Sequence, residues 1–264
     1  MKSGRSFTHN SGPRRDRSTE RSPHRRAVDT IHLGRNLDVE VLFEDKWILA
    51  VNKPAGLLVC QESWERTRRN LMHLLQSGID HRAYWAVHRG LRYLKNVHRL
   101  DAPTTGVLLL AKSRFALMSL SELFRLRHIQ KTYYALVTGN PPPKPFDISS
   151  PIAPHPRITG LMVIDAKRGK PADTHVEVVA KEGPLSLLKV SPRSGRTHQI
   201  RIHLASNGLP VVGDSQYGNA KDSERLMLHA AELNFVHPLT KRPVVIRAPL
   251  PRDFKIKTSV GTGT

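Results

Sequence analysis

The first 36 residues carry almost no apolar side chains, and patterned segments begin only after them. Val39-Glu40-Val41-Leu42-Phe43 and Trp47-Ile48-Leu49-Ala50-Val51 predict two strands joined as a hairpin by Glu44-Asp45-Lys46, and Asn52-Lys53-Pro54-Ala55-Gly56 predicts a turn. Leu71, Leu74 and Leu75 have helical spacing, with Thr67 as the expected cap. Val107-Leu108-Leu109-Leu110-Ala111 is an unbroken apolar run, the mark of a buried strand. From Arg114 to Arg127 the pattern is helical, and Leu117, Leu120, Leu123 and Phe124 form its inward stripe. Lys131 to Val137 predicts a strand. Alternation puts Tyr133, Ala135 and Val137 on one face and Tyr134 and Leu136 on the other, so one tyrosine at most serves any one site. The proline-rich stretch 140 to 160 reads as loop. Thr174 to Val179, Leu185 to Val190, Leu228 to Leu233 and Val244-Val245-Ile246 supply the later strands. Short strands with few helices and no internal repeat predict an α+β fold.

Charge narrows the partner. The 264 residues carry a formal charge of +20 and a pI near 10.7, which calls for a polyanion: nucleic acid first, an anionic membrane surface second. No apolar run approaches the roughly 20 residues that span a bilayer, and no apolar signal-peptide core stands at the amino terminus. The expectation is a soluble cytoplasmic monomer, with organellar targeting by the Arg- and Ser-rich first segment as the alternative. Cys60 is the sole cysteine, which excludes an intrachain disulfide and a cysteine metal cluster and suits a reducing compartment. His198 and His203 are five apart rather than the four that aligns two ligands on one helix face, so no metal site is expected. Residues 1–36 hold nine Lys or Arg against Asp16, Glu20 and Asp29. They are too polar to fold alone and read as a disordered tail, either an RNA tether or a solvated extension. Most of the +20 still falls on the folded remainder, which must present a basic surface.

Three stretches are candidates for chemistry. In His98-Arg99-Leu100-Asp101-Ala102-Pro103-Thr104-Thr105-Gly106 a carboxylate sits in a turn just ahead of the buried strand. Asp101 is either a turn-former bonded to a nearby backbone N–H or a group held rigidly at the rim of a sheet, and the stretch alone favours the first. From Gly78 to Lys95, Tyr84, Trp85 and Tyr93 alternate with His81, Arg82, His88, Arg89 and Arg92. That mixture suits single-stranded RNA, and equally a loop whose rings pack inward. In Arg193-Ser194-Gly195-Arg196-Thr197-His198-Gln199-Ile200-Arg201, Gly195 permits a tight turn and Thr197 is the expected helix cap. Ile200 and Leu204 then bury one face with Arg201 at its edge. This helix start, flanked by Arg193 and Arg196, is either a phosphate site or an ordinary amphipathic helix with a solvated basic face.

Together these pieces resemble the RluA-like pseudouridine synthases. The resemblance is carried by Asn52-Lys53-Pro54-Ala55-Gly56 with Leu57-Leu58-Val59, by His98-Arg99-Leu100-Asp101 with Thr104-Thr105-Gly106, and by Lys131-Thr132-Tyr133-Tyr134-Ala135. It continues through Gly169-Lys170-Pro171-Ala172-Asp173-Thr174, Gly195 to Arg201, Gly213-Asp214-Ser215-Gln216-Tyr217-Gly218, and Leu228-His229-Ala230 with His237-Pro238. It implies one catalytic domain over residues 37–254, followed by a short tail at 255–264. The domain would be a mostly antiparallel mixed sheet flanked by helices, with an RNA cleft along it. The implied reaction turns a uridine of ribosomal or transfer RNA into pseudouridine: the base is detached, rotated and rejoined through carbon, without cofactor or metal. On this sequence Asp101 would be the catalytic carboxylate. Tyr133 would lie against the uracil and help remove the proton at the new linkage, and Arg201 would be the cation beside Asp101. Arg99, Lys131, Arg193, Arg196 and His198 would contact RNA. A buried carboxylate that must stay ionised needs such a cation, and arginine supplies it without losing its own charge. Two positions depart from the usual pattern: Thr105 stands where relatives have Ser, and Ala102-Pro103 replaces a polar pair. The competing classes are a non-catalytic RNA-binding protein that keeps the fold, and a metal-dependent phosphate-handling enzyme built on His98, His198 and His203.

Overall fold

The apolar run after Asp101 seats the whole sheet: Thr105–Ala111 is a strand of seven residues, all buried. The computed structural model describes residues 1, 29–34, 36–61, 70–219, 221, 223–254 and 256, and the statements that follow concern these. In chain order, β1 (Asp29–His32), β2 (Asp38–Glu44) and β3 (Ile48–Lys53) form a meander, then come α1 (Leu71–Asp80), α2 (Tyr84–His88), β4 (Lys95–Asn96) and β5 (Thr105–Ala111). Helix α3 (Arg114–Arg125) leads to β6 (Gln130–Thr138), β7 (Phe146–Ser149), β8 (Ile152–Pro154) and β9 (Met162–Ile164). The chain continues through β10 (Asp173–Glu182), β11 (Leu185–Pro192), α4 (Gln199–Ser206), β12 (Leu228–Val236) and β13 (Pro243–Arg247). The main sheet has the order β1-β2-β3-β5-β12-β6-β11-β10-β7, with β13 added to β12 and β4 to β5, while β8 and β9 form a separate hairpin.

All pairings in the main sheet are antiparallel except one. The exception is β5 on β12, where Thr105 and Gly106 lie opposite His229 and Ala230. The expected α+β fold with a mixed, mostly antiparallel sheet therefore holds, and two antiparallel halves meet at a single parallel seam. Gly106 makes that seam possible: its φ is +112°, and a Cβ there would overlap the Ala230 backbone. Gly106→Ala is expected to cost about 2–4 kcal/mol, combining backbone strain with forced displacement of β12. Urea unfolding measures it, and an unchanged midpoint would contradict this reading of the seam.

Alternation along β5 separates two faces. Leu108 and Leu110 pack with α1, α2, Leu100 and Tyr133, whereas Val107, Leu109 and Ala111 pack with α3. The Asp101 turn and Tyr133 thus share the α1/α2 side. Helix α3 buries Ala116 and Leu120 fully and Leu117, Leu123 and Phe124 in part, close to the expected stripe.

Several expectations need correcting. Strand β1 falls inside the stretch expected to be tail, because Ile31 and Leu33 are both buried and the backbone of Asp29–His32 pairs with β2. The rest of the expected tails lies almost wholly outside the described residues, as does Thr67. Asn70 caps α1, its side chain accepting the His73 N–H at 2.9 Å. The stretch 140 to 160 holds β7 and β8 despite its prolines, which lie outside both strands except for Pro154, the last residue of β8 in a two-stranded hairpin. Thr197 is not a cap: His198 occupies that position in the left-handed conformation, φ 54°, without a capping bond. Nor is α4 amphipathic, since Gln199 through Leu204 are all buried.

Candidate active site

The Asp101 turn is built from the backbone. Its carbonyl accepts the Thr104 N–H at 3.1 Å, which leaves the carboxylate to point elsewhere. Lys53, at the end of β3 and wholly buried, donates to the carbonyls of Pro54, Leu57 and Ala102 at 2.8, 2.8 and 2.9 Å. One ammonium thus stitches the Asn52–Gly56 turn to the residue after Asp101. Burial lowers the Lys53 pKa to about 7, while the nearby Asp101 charge pulls it upward. Across the seam, the Thr105 hydroxyl bonds Nδ1 of His229 at 2.8 Å, so replacing the usual Ser keeps the contact a hydroxyl makes here. Lys53→Met should leave three carbonyls unsatisfied, costing about 2–4 kcal/mol and loosening the turn. Denaturant titration and a turnover assay measure the two effects, and wild-type values in both would contradict the stitching role.

Arg201 arrives from the other half of the sheet. Its helix start is knotted to β10 by Gln199, whose Oε1 accepts from Ser194 Oγ and the Arg196 N–H. The Gln199 Nε2 donates to Asp173 O and Thr174 Oγ1. The guanidinium is 3% exposed and binds Asp214 through two bonds, Nε to Oδ2 at 2.8 Å and Nη2 to Oδ1 at 2.7 Å. Nη2 also donates to Gln216 Oε1 at 2.8 Å, and Nη1 reaches Asp101 Oδ2 at 3.4 Å. Burial alone would raise the Asp214 pKa, but the Arg201 bonds hold it below the ordinary carboxylate value. Arg201 is raised despite burial, by Asp214 first and then Asp101. Its charge is therefore balanced internally, and its remaining N–H edge is turned toward Asp101.

His198 and Tyr133 complete the floor. Nε2 of His198 lies 3.9 Å from Asp101 Oδ2, and its Nδ1 is 2.8 Å from the Tyr217 hydroxyl. Burial, then the Asp101 charge, pushes the Tyr133 phenol above its ordinary value, so it keeps its proton at neutral pH. Asp101, Tyr133, Arg201, Arg99, Lys131, Arg193, Arg196 and His198 all line one open cleft of about 2020 Å³. Its other lining residues include Arg125, Arg127, Arg157 and Lys189, and among the described residues its carboxylates are Asp101 and Glu232. A basic trough well beyond the roughly 300–1,000 Å³ of small-molecule pockets suits a polyanionic macromolecule.

The basic residues are not equivalent. Lys131 donates to Ser194 O at 2.6 Å and burial lowers its pKa to about 8, so it braces the loop before α4 as well as facing the cleft. Arg193 pairs with Asp147 at 3.2 Å, Arg196 donates to Pro171 O at 3.2 Å, and Arg99 is exposed. The 78–95 segment lines no part of this cleft: Trp85 is buried in the core beside α1, while Tyr84 stacks on His88 elsewhere on the surface. The three histidines of the phosphate-enzyme hypothesis do not converge. His98 accepts the Leu109 N–H and stacks on Phe124, and His203 is held by Thr174 and Ser150. Sequence reasoning gave no role to Asp214, Gln216, Tyr217, Gln199 or Lys53. An acidic residue after Gly213, in a stretch already singled out, was the available signal for a partner to Arg201. Nor did it foresee the β8–β9 hairpin, whose connection lines the cleft from Pro154 to Met162.

A family model described as RNA pseudouridylate synthase matches residues 47–206, a span containing Asp101, Tyr133 and Arg201. The chain belongs to this family. Curated relatives include proteins called ribosomal large subunit pseudouridine synthase C. That of Buchnera aphidicola is 37% identical over 231 residues, covering 83% of this chain and 70% of the relative. That of Yersinia pestis is 37% identical over 224 residues, covering 81% and 67%. Among solved structures, the human RNA pseudouridylate synthase domain containing 4 superposes with a TM-score of 0.65 at 25% identity, covering 81% of this chain and 89% of that one. Human domain containing 1 gives 0.60 at 27%, covering 80% and 83%. This RluA-like protein is thus an isomerase, an RNA pseudouridine synthase, and the resemblance in its motifs is borne out.

Proposed function

We propose that this synthase modifies ribosomal RNA, with Asp101 as the catalytic carboxylate, Arg201 as its cationic partner and Tyr133 against the uracil. The observation that carries the reading is the setting of Asp101. Among the described residues it is one of two carboxylates lining a basic cleft, and it is approached at 3.4 Å by an arginine already neutralised by Asp214. Simple RNA binding gives no reason for a carboxylate there, because it repels phosphate. The ribosomal substrate is supported by the names of the relatives; transfer RNA is the second reading, kept because the cleft itself favours neither.

The reaction breaks the bond from C1′ to N1 of uracil and forms one from C1′ to C5, with a proton leaving C5 and N1 regaining one. Reaching the ribose requires turning the uridine out of its stack, at a cost of a few kcal/mol that phosphate contacts along the cleft offset. Asp101 then acts on the ribose or the base as the glycosidic bond opens, and Arg201 orients it. Tyr133, held as a neutral phenol, contributes a ring face and a hydrogen-bonding hydroxyl. Its place against the uracil lets it assist removal of the C5 proton once that proton becomes acidic in the reaction. Because C5 loses its hydrogen, RNA transcribed with 5-tritiated uridine releases tritium to water on turnover. Release from large-subunit ribosomal RNA and not from transfer RNA is expected; the reverse would overturn the ribosomal assignment.

A further inference from the structure

The hydroxyl of Tyr217 joins the cleft-lining hairpin to the catalytic group. It accepts the N–H of Met162, the first residue of β9, at 2.8 Å, and lies 2.8 Å from Nδ1 of His198. A phenol oxygen has one proton to give, and among the described residues Nδ1 is the only acceptor in contact with it. The opposite arrangement would aim two N–H groups at one oxygen and leave its proton without a partner. Nδ1 is therefore the acceptor, and the proton of the neutral imidazole sits on Nε2. Burial, opposed by the charge of Asp101, lowers the His198 pKa, so the neutral ring is the form to consider.

That Nε2 faces Asp101 Oδ2 at 3.9 Å, the same oxygen that Arg201 approaches at 3.4 Å. No hydrogen bond among the described residues goes to Oδ1. His198 also holds a left-handed backbone, φ 54°, that costs a non-glycine residue energy, and it spends no side-chain bond on capping α4. Strain retained at a helix start without a capping gain is accounted for if the ring is needed where it points.

We propose that Tyr217 fixes His198 as the Nε2–H tautomer, and that His198 and Arg201 together hold Oδ2 of Asp101, leaving Oδ1 as the oxygen that meets the substrate. This rests on the reading of Asp101 as the catalytic carboxylate. His198 and Tyr217 are then positioning residues. Before substrate binds, the Nε2 to Oδ2 contact is long, as contacts in unliganded sites commonly are, and it tightens when RNA fills the cleft. Because Met162 shares the same hydroxyl, the seating of the β8–β9 hairpin and the tautomer of His198 are set by one group.

The test pairs a spectroscopic arm with a kinetic one, both on the full chain. Long-range proton–nitrogen correlation spectra of the imidazoles, with the His198 signals assigned by their loss in His198→Gln, should show the Nε2–H tautomer in the wild type and a mixture in Tyr217→Phe. Phenylalanine keeps the ring over which the Arg201 guanidinium sits at 5.1 Å, so the fold should persist. Single-turnover tritium release from large-subunit ribosomal RNA should slow about tenfold in Tyr217→Phe, the scale of one lost positioning contact, with RNA affinity within about twofold of wild type. His198→Gln, whose amide can still donate near the Nε2 position, should retain several-fold more activity than His198→Ala. An Nδ1–H tautomer in the wild type, an unaltered tautomer in Tyr217→Phe, or wild-type turnover by that variant would each overturn the proposal. Near-wild-type turnover by Asp101→Asn would instead remove the catalytic reading beneath it, and the tautomer arm, which uses no RNA, would still report on Tyr217.

Discussion

Asp101→Asn is expected to lower single-turnover isomerisation by ~10⁴-fold or more while leaving RNA affinity and stability close to wild type. The substitution keeps the shape and an acceptor for Arg201 Nη1 but removes the charge that the chemistry uses. It leaves no buried cation unmatched, because Asp214 already neutralises Arg201 through two bonds. It also removes a negative charge from a basic cleft, so binding should hold or tighten slightly, most visibly at low salt. The alternative, an RNA-binding protein that merely keeps the fold, has no activity to lose. Tritium release and filter binding on the same RNA separate the two, and a variant that binds poorly would place Asp101 in recognition instead.

The second large effect is structural. Asp214→Ala strips a 3% exposed arginine of its bidentate partner and leaves the Gln216 and Tyr217 N–H groups without the oxygen that accepts both. Removing one member of a buried pair costs about 3–5 kcal/mol, and turnover should fall as Arg201 shifts toward Asp101 or out of the site. Asp214→Asn, which keeps acceptors without charge, should fall between. The sign with pH follows from the lowered pKa: stabilisation by ionised Asp214 is full above its unfolded value, near 3.8, and is lost as pH falls through the lower folded value. Acid titration of wild type and Asp214→Asn should therefore converge below that range. Equal stability of the two at pH 7 would contradict the role given to this pair.

How much of this was legible in the sequence depends on the range of the interaction. The cores of two strands, Val107–Ala111 and Lys131–Val137, follow from local periodicity, which a buried sheet enforces residue by residue, whereas the choice of Tyr133 over Tyr134 as the partner of Asp101 came from the resemblance. Arg201 was assigned by resemblance rather than pattern: helix spacing placed it at the edge of a buried face and left a solvated basic face as one alternative, whereas Gln199 through Leu204 are all buried. What permits the burial is Asp214, thirteen residues on, and no periodicity encodes that pairing. Strand β1 escaped notice because two buried residues, Ile31 and Leu33, sit among charges. The Pro-rich stretch concealed β7 and β8 because breaker residues rule out central strands, not edges. The basic, aromatic 78–95 segment suggested an RNA contact, yet its composition could not say which side of the core it would occupy.

The most direct measurement is a pseudouridine map of large-subunit ribosomal RNA from cells lacking this gene, with either the wild-type or the Asp101→Asn chain restored. Catalysis through Asp101 requires one or a few sites that vanish on deletion, return with the wild type and stay absent with the asparagine variant. Sites restored equally by the asparagine variant would contradict it.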